Sequence, residues 1–256
     1  MRLLSIVIPT FNRPFLVEAL LRNMGSVAGE SDIEVIVVDD CSIASEVGKL
    51  KELSYEYPLI KFVFLSENTG GAGARNKGAE VSLSKWMWFL DDDDSVASKD
   101  IRAVLRVIKE VGDKQKMLFL SANFIKGDSN RVCIPVGDKL FSRFSRYGNE
   151  VNTSCVLFSF SLFEKIGGWD ADLVAGQDTD ILLRASELTD AYVLSDVFVD
   201  VIQHDGERIT KNPRKQMKAK FQFVLKNYKR LHPLRLARYV LTFFLFYPYL
   251  KNLVRK

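Results

Sequence analysis

Trp86-Met87-Trp88-Phe89-Leu90-Asp91-Asp92-Asp93-Asp94-Ser95 carries five apolar residues straight into four consecutive carboxylates. The apolar half reads as a strand buried on both faces, the pattern of a parallel sheet covered by helices. The acidic half then falls at the strand's carboxyl end, where open α/β sheets place their ligands. Four carboxylates this close raise one another's pKa unless a cation compensates. A hard divalent ion is the simplest such cation, because Mg²⁺ and Mn²⁺ favour carboxylate oxygen and bridge to phosphates. The alternative is a solvated acidic turn capping the next helix. The tetrad alone does not choose between the two.

The chain on either side supplies the frame. Upstream, Leu4–Ile8, Ile33–Val38 and Ile60–Leu65 are three more apolar runs of strand length. Helical spacing separates them, over Pro14–Met24 with proline at its start, and over 43–56. Ser66 to Gly78 is a Gly-rich loop opening a helix to about Val81, and the strand Lys85–Leu90 follows. This β-α-β-α-β-α-β rhythm predicts a parallel sheet with helices on both faces. Right-handed crossovers bring the carboxyl ends of the four strands to one edge. Thr10, Asp39, Asp40, the Gly-rich loop and Asp91–Asp94 therefore converge on one crevice.

Each of these has a plainer reading. Asp39-Asp40 either anchors a base or ribose at the sheet edge or caps the next helix. Gly70-Gly71-Ala72-Gly73-Ala74 lets backbone N–H groups approach an anion, yet it matches neither GxxxxGK[ST] nor GxGxxG. Arg75 and Lys77 neutralise a diphosphate or form a surface pair.

The second half is less regular. Lys99–Val111 has the spacing of a helix, Met117–Phe124 and Arg131–Val136 those of a strand pair, and 138–150 fits no period. Val156–Phe160 reads as a strand, Ser161–Ile166 as a short helix ended by Gly167-Gly168, Asp178–Leu188 as a helix and Tyr192–Ile202 as strand. Asp178 is either a helix N-cap or a general base facing the first acidic cluster. His204, one of two histidines, is either structural or a third metal ligand.

Charge divides the chain. The net is +4, but residues 211–256 hold 13 Lys and Arg and no acid, leaving 23 basic and 32 acidic residues in 1–210. An acidic body with a basic tail points to an anionic partner for the tail. The run Val240 to Leu250 is aromatic, flanked by Arg and Lys, and shorter than the roughly 18–20 apolar residues a span needs. It suits a helix lying in a membrane interface, or one packing on the body. No nucleic-acid motif is present and the acidic body would repel a duplex, so no nucleic-acid partner is expected. Three cysteines far apart, without metal spacing, fit a reduced cytoplasmic compartment. Met1 to Pro9 reads as a first strand rather than a signal peptide.

Together these residues resemble a family-2 glycosyltransferase of the GT-A fold over roughly residues 3–210. The match rests on Ser5-Ile6-Val7-Ile8-Pro9-Thr10-Phe11-Asn12-Arg13-Pro14, Val35-Ile36-Val37-Val38-Asp39-Asp40-Cys41-Ser42 and Asn68-Thr69-Gly70-Gly71-Ala72-Gly73-Ala74-Arg75-Asn76-Lys77-Gly78. It continues through Trp88 to Asp94, Gly167-Gly168-Trp169-Asp170 and Asp178-Thr179-Asp180-Ile181-Leu182-Leu183-Arg184.

The resemblance implies an α/β fold with a single Rossmann-like mixed sheet, mostly parallel in its N-terminal half. Residues 1–95 would hold the nucleotide sugar, 96–210 the acceptor, and 211–256 would form a basic amphipathic helical tail. It implies inverting transfer of a sugar from a nucleotide diphosphate sugar to a hydroxyl of a glycan or lipid-linked acceptor, assisted by Mn²⁺ or Mg²⁺. Pro9, Thr10, Asn12, Arg13, Asp39, Asp40, Gly71, Arg75, Asp91 and Asp92 would hold the nucleotide. Asp93, with Asp91 and His204, would hold the metal, and Asp178 would be the base. Asp94 is expected to cap the helix beginning near Ser98 or to order the turn before it. The family commonly has Glu-Asp where this chain has Gln177-Asp178. The enzyme would act on the cytoplasmic face of the membrane, in cell-surface polysaccharide or glycolipid synthesis. Alternatives are a non-catalytic nucleotide-sugar-binding scaffold, hinted at by Gln177, and a Mg²⁺-dependent phosphatase built on Asp91-x-Asp93-x-Ser95.

Overall fold

Four parallel strands form the N-terminal half of one sheet in the computed structural model, which describes residues 2–112, 114–149, 151–203 and 213–254. They are β1 (Arg2–Thr10), β2 (Ile33–Asp39), β3 (Lys61–Phe64) and β4 (Ser84–Phe89). Helices α1 (Pro14–Met24), α2 (Ala44–Glu56) and α3 (Gly70–Glu80) connect them. Their order is β3-β2-β1-β4. The chain steps outward from β1 to β3, then returns across the sheet to place β4 on the other side of β1. The strand order thus reverses between β1 and β4, and ligands of open α/β sheets bind at such a point.

The mixed α/β sheet expected from the sequence is present, and its second half is mostly antiparallel. The remaining elements are β5 (Ser95–Val96), α4 (Ser98–Val111), β6 (Met117–Lys126), β7 (Ser129–Cys133), α5 (Leu140–Tyr147), β8 (Val156–Ser159), α6 (Phe160–Lys165), α7 (Gln177–Ser186), β9 (Tyr192–Ile202), α8 (Pro213–Asn227) and α9 (Pro233–Val254). Strand β8 runs antiparallel between β4 and β6, β9 lies parallel to β6, and β5 pairs antiparallel with β9. Ile6, Trp88, Leu157 and Leu118 stand side by side across the centre of the sheet. All four are fully buried. That accounts for the apolar run in β4: both of its faces are covered. The indole Nε1 of Trp88 donates to the Ser154 carbonyl at 2.7 Å, so the one polar atom on this ring is satisfied.

Three expectations need correction. The glycines at 70–73 are not a loop but the first turn of α3. A Cβ on Gly78 would lie 2.2 Å from Val7 Cγ1; glycine there lets α3 seat directly on β1. Residues 138–150, without a visible period, contain α5. Leu140 and Phe144 fall one turn apart on its buried face, and Gly148 ends it with φ of 103°. Residues 95–96 form β5, which draws the chain after the carboxylates back under β9.

The tail is helical and its first part belongs to the body. Met217, Phe223 and Leu231 are buried. Asn227 Nδ2 donates to Asp180 Oδ1 at 2.7 Å, and Lys226 pairs with Asp170 at 2.5 Å. Arg235 is buried, donates to the Phe144 carbonyl and stacks over Phe223 and Tyr239.

Candidate active site

The carboxyl ends of β1 and β4 lie side by side and deliver Thr10 and Asp91–Asp94 to the reversal point. The four aspartates then diverge. Asp92 turns inward: Thr10 Oγ1 donates to it at 2.6 Å and Arg13 Nη2 stands 2.7 Å away. Its side chain has no exposed surface, so it ties the end of β1 to the end of β4 instead of facing the crevice. Burial pushes its carboxyl up to about 7; Arg13 and the Thr10 hydroxyl pull the other way and lose.

Asp91, Asp93 and Asp94 form the outward set. Each offers a carboxylate oxygen, and the three oxygens lie within 4.8 Å of one another. Oxygens sharing one Mg²⁺ stand at most about 4.2 Å apart, twice its bond length, so small side-chain rotations bring this set onto an ion. Arg75 pairs with Asp91 and Arg13 with Asp93 at 3.1 Å. Asp94 is not a helix cap. The N-cap of α4 is Ala97 and makes no side-chain cap bond. Because β5 turns the chain inward, Asp94 instead accepts from Ser154 Oγ at 2.5 Å and from the Ile202 amide at 3.3 Å. Burial first, then the charge of Asp91, pushes its carboxyl up to about 8. Three carboxylates share this place with two guanidinium groups, which leaves one negative charge uncompensated when Asp94 is ionised. The residues present fit a hard divalent cation on both counts, donor geometry and missing charge.

Ser154 is the residue that the sequence concealed. Its hydroxyl donates to Asp94 and accepts from the Asp91 amide at 3.1 Å, and it is completely buried. It therefore holds two of the three carboxylate positions from behind. No periodicity or motif around 150–155 points to it. Partners behind a metal set commonly support about 10–100-fold in metal affinity. Ser154→Ala is accordingly expected to weaken Mn²⁺ binding by about that factor in a calorimetric titration. Unchanged affinity would mean that Ser154 does not organise the set.

The residues that the sequence assigns to the nucleotide bind one another and the loops at the strand ends. Asp39 accepts from the Ser42 hydroxyl and amide. Asp40 accepts from the Thr69 amide at 2.7 Å and hydroxyl at 2.9 Å, fixing the entry to α3. Asn12, at φ 58°, clamps the loops after β1 and β2: its amide donates to Ser42 Oγ and its side chain accepts from the Ile43 amide. Pro9 lies within β1 opposite Val38. Gly71 faces Arg75: a Cβ there would stand 3.1 Å from the guanidinium.

Arg75 packs over the Trp169 ring at 4.9 Å, and its buried Nε finds no hydrogen-bond partner among the described residues. Asn76 holds Trp169 at both backbone atoms, accepting from its amide at 2.9 Å and donating to its carbonyl at 2.8 Å. The motif around Trp169 thereby reaches Arg75 and, through it, Asp91.

Asp178 is the second residue of α7 and half-buried, and it makes no hydrogen bond or ion pair among the described residues. It is not an N-cap: Gly176, at φ 80°, holds that position. Its acidic neighbours are occupied. Asp180 is bound by Arg184 and Asn227, and Asp170 by Lys226. Gln177 Nε2 donates to the Leu173 carbonyl at 2.8 Å, a bond that a glutamate carboxylate could not donate. His204, proposed as a metal ligand, lies outside the described residues.

Known proteins resemble this chain in sequence and in fold. Residues 5–167 match the family model "Glycosyl transferase family 2". An uncharacterized glycosyltransferase of Haemophilus influenzae is 31% identical over 186 residues, covering 71% of this chain and 61% of that protein. The putative colanic acid biosynthesis glycosyl transferase WcaA of Escherichia coli is 28% identical over 230 residues, 83% and 77% of the two chains. A GalNAc(5)-diNAcBac-PP-undecaprenol beta-1,3-glucosyltransferase of Campylobacter jejuni is 31% identical over 109 residues, 42% of this chain and 35% of that protein. Among solved structures, S. aureus TarS residues 1–349 with UDP-GlcNAc superposes with a TM-score of 0.67 at 18% identity, covering 96% of this chain and 73% of that one. Mannosyltransferase PcManGT from Pyrobaculum calidifontis, in complex with GDP-Man and Mn2+, gives 0.62 at 16%, covering 90% and 65%. These likenesses extend to the fold.

Proposed function

The chain belongs to glycosyl transferase family 2, and on that premise we propose that it moves a sugar from a nucleotide diphosphate sugar to an acceptor hydroxyl with inversion. The observation that carries the reading is the gathering of Asp91, Asp93 and Asp94 at the strand-order reversal, beside an arginine whose buried Nε has no partner among the described residues. The Mn²⁺-bound neighbour supports a divalent ion there. Bound at this set, the ion would stabilise charge on the departing diphosphate, assistance of several kcal/mol.

The chain's own groups do the rest. Arg75, held against Trp169, meets the diphosphate from the α3 side. Thr10, Asn12, Asp39 and Asp40 shape the loops that receive the nucleoside. Asp178 takes the acceptor's hydroxyl proton as its oxygen bonds to the anomeric carbon. The bond from that carbon to the diphosphate oxygen breaks with its electron pair on the leaving group. One base on the face opposite the leaving group suffices for inversion. Gln177 already has a structural task through Leu173, so it does not speak for a scaffold that has lost activity. The test is donor hydrolysis or transfer with Mn²⁺ or Mg²⁺ in wild type and Asp178→Asn. A protein that binds donor and never turns over with any glycan or lipid-linked acceptor overturns the reading.

We place the enzyme on the cytoplasmic surface of a membrane, in polysaccharide or glycolipid synthesis as the names of its relatives support. No described helix is long and apolar enough to cross a membrane. The tail instead exposes Phe221 and Leu225 one turn apart on α8, Tyr228 just after it, and Val240, Leu241 and Phe244 on α9. With 13 basic residues and no acidic one in 211–256, this surface suits anionic headgroups with shallow apolar insertion. Phe244→Glu with Leu241→Glu is expected to weaken co-sedimentation with phosphatidylglycerol-containing vesicles by at least tenfold. Equal sedimentation of variant and wild type would remove the tail from membrane binding.

A further inference from the structure

Asp178 makes no hydrogen bond or ion pair of its own among the described residues, so its place is set by the backbone on either side of it. Upstream, residues 171–176 form neither helix nor strand. They end at Gly176, whose φ of 80° is a conformation that glycine adopts freely. Such a segment takes its position from what grips it. At its start, Asn76 holds both backbone atoms of Trp169 at 2.9 and 2.8 Å, and Arg75 lies over the indole. That end is fixed to the half of the molecule that carries Asp91. The rest is fixed by α8, the first helix of the tail.

Gln222 and Lys226 lie one turn apart on α8. Gln222 Oε1 accepts from the Val174 amide at 3.3 Å, and its Nε2 donates to the Asp172 carbonyl at 3.4 Å. Lys226 Nζ donates to Asp170 at 2.5 Å and to Asp172 at 3.4 Å. Leu173, between the two gripped residues, is buried, and its carbonyl accepts from Gln177 Nε2, next to Asp178. Beyond the base, the buried Asn227 donates to Asp180. Helix α8 therefore holds the chain on both sides of Asp178. Docking of α8 does not require Gln222 and Lys226, because Met217, Ala219 and Phe223 already bury its inner face. The Lys226 pair reaches partly exposed carboxylates, and exposed ion pairs add little stability. Both Gln222 bonds go to main chain, so they fix backbone. What these contacts determine is where the segment stands relative to Arg75 and Asp91. A misplacement of about 1 Å at a reacting group can cost about 100-fold in rate. We propose that Gln222 and Lys226 are positioning residues for transfer, which set residues 170–176 from the tail and with them the base. This rests on the transferase reading and on Asp178 as the base.

The test uses the full chain and the double variant Gln222→Ala with Lys226→Met, which keeps the apolar stem of the lysine and removes its charge. Transfer from a panel of UDP- and GDP-sugars with Mn²⁺ should show kcat lowered by about tenfold or more, with the donor KM within about a factor of two of wild type. Lys226→Arg, which keeps the ion pair, should retain about half of the wild-type kcat or more, whereas Lys226→Met alone should not. Hydrogen exchange gives a readout that needs no substrate: peptides covering 171–178 should exchange about fivefold faster or more in the double variant, with those covering 70–94 unchanged. Unchanged exchange across 171–178 would overturn the proposal, as would a rise in donor KM that accounts for the whole loss. Wild-type transfer in the double variant, with transfer lost in Asp178→Asn, would overturn the positioning role alone. Wild-type transfer in Asp178→Asn would overturn the base assignment on which it rests.

Discussion

Asparagine at position 178 is expected to lower glycosyl transfer by about 10²–10⁴-fold, the range typical of losing a positioned general base. The substitution keeps the shape of the side chain and removes its ability to take a proton. Donor binding should survive, because Asp178 lies on α7 and stands outside the set formed by Asp91, Asp93 and Asp94. The loss should therefore fall in kcat, with the thermal shift produced by nucleotide sugar and Mn²⁺ retained. Substitution of Asp180 would be uninformative about chemistry: Arg184 and Asn227 hold its carboxylate, so removing it strands a half-buried cation and a buried amide and unsettles α7. Asp170 is likewise tied to Lys226. Among the described residues Asp178 is the carboxylate in this region left free of such partners, and that freedom singles it out. Transfer at more than a tenth of the wild-type rate in Asp178→Asn would require the base to be sought elsewhere.

The parts of this architecture that were legible in the sequence are those in which one physical demand acts on many residues. Burial of β1, β2 and β4 on both faces required continuous apolar runs, and those runs announced a parallel sheet. The carboxylates at the strand ends came with the topology. The features hidden from sequence depend on single contacts made far along the chain. Ser154 reaches Asp91 and Asp94 across 63 and 60 positions, and nothing in its neighbourhood records that approach. The two-residue strand β5 is too short for any period, yet it redirects Asp94 from a surface cap to a buried ligand candidate. The glycines of α3 showed that backbone must come close to something. The structure shows what two of them approach: Val7 at Gly78 and the Arg75 guanidinium at Gly71. The tail was legible in charge but not in placement. Its basic count is spread along the sequence, whereas its docking depends on Phe223, Asn227 and Arg235, each on the inner side of a helix.

Mn²⁺ binding should strengthen steeply as the pH rises from 6 to 8, and the metal-free protein should become less stable over the same interval. Both effects originate in Asp94. In the folded chain its carboxyl is pushed up to about 8, mainly by burial, against about 3.9 in an unfolded chain. Between those values the native state binds a proton that the unfolded state has released. Stability from this group is thus complete below about pH 4 and is lost as the pH rises through about 8. Asp92, pushed up to about 7 in the same way, adds to the trend. A cation at the set must displace the Asp94 proton, so its apparent affinity gains up to about tenfold per pH unit while one proton is released, and levels off above about pH 8. The stabilisation by a fixed Mn²⁺ concentration should accordingly be greater at pH 8 than at pH 6. Asp94→Asn removes the titrating group, weakening the binding and flattening its pH dependence. A pH-independent Mn²⁺ affinity in wild type, with Asp94→Asn binding equally well, would take Asp94 out of the metal set and leave Asp91 and Asp93 to hold the ion alone.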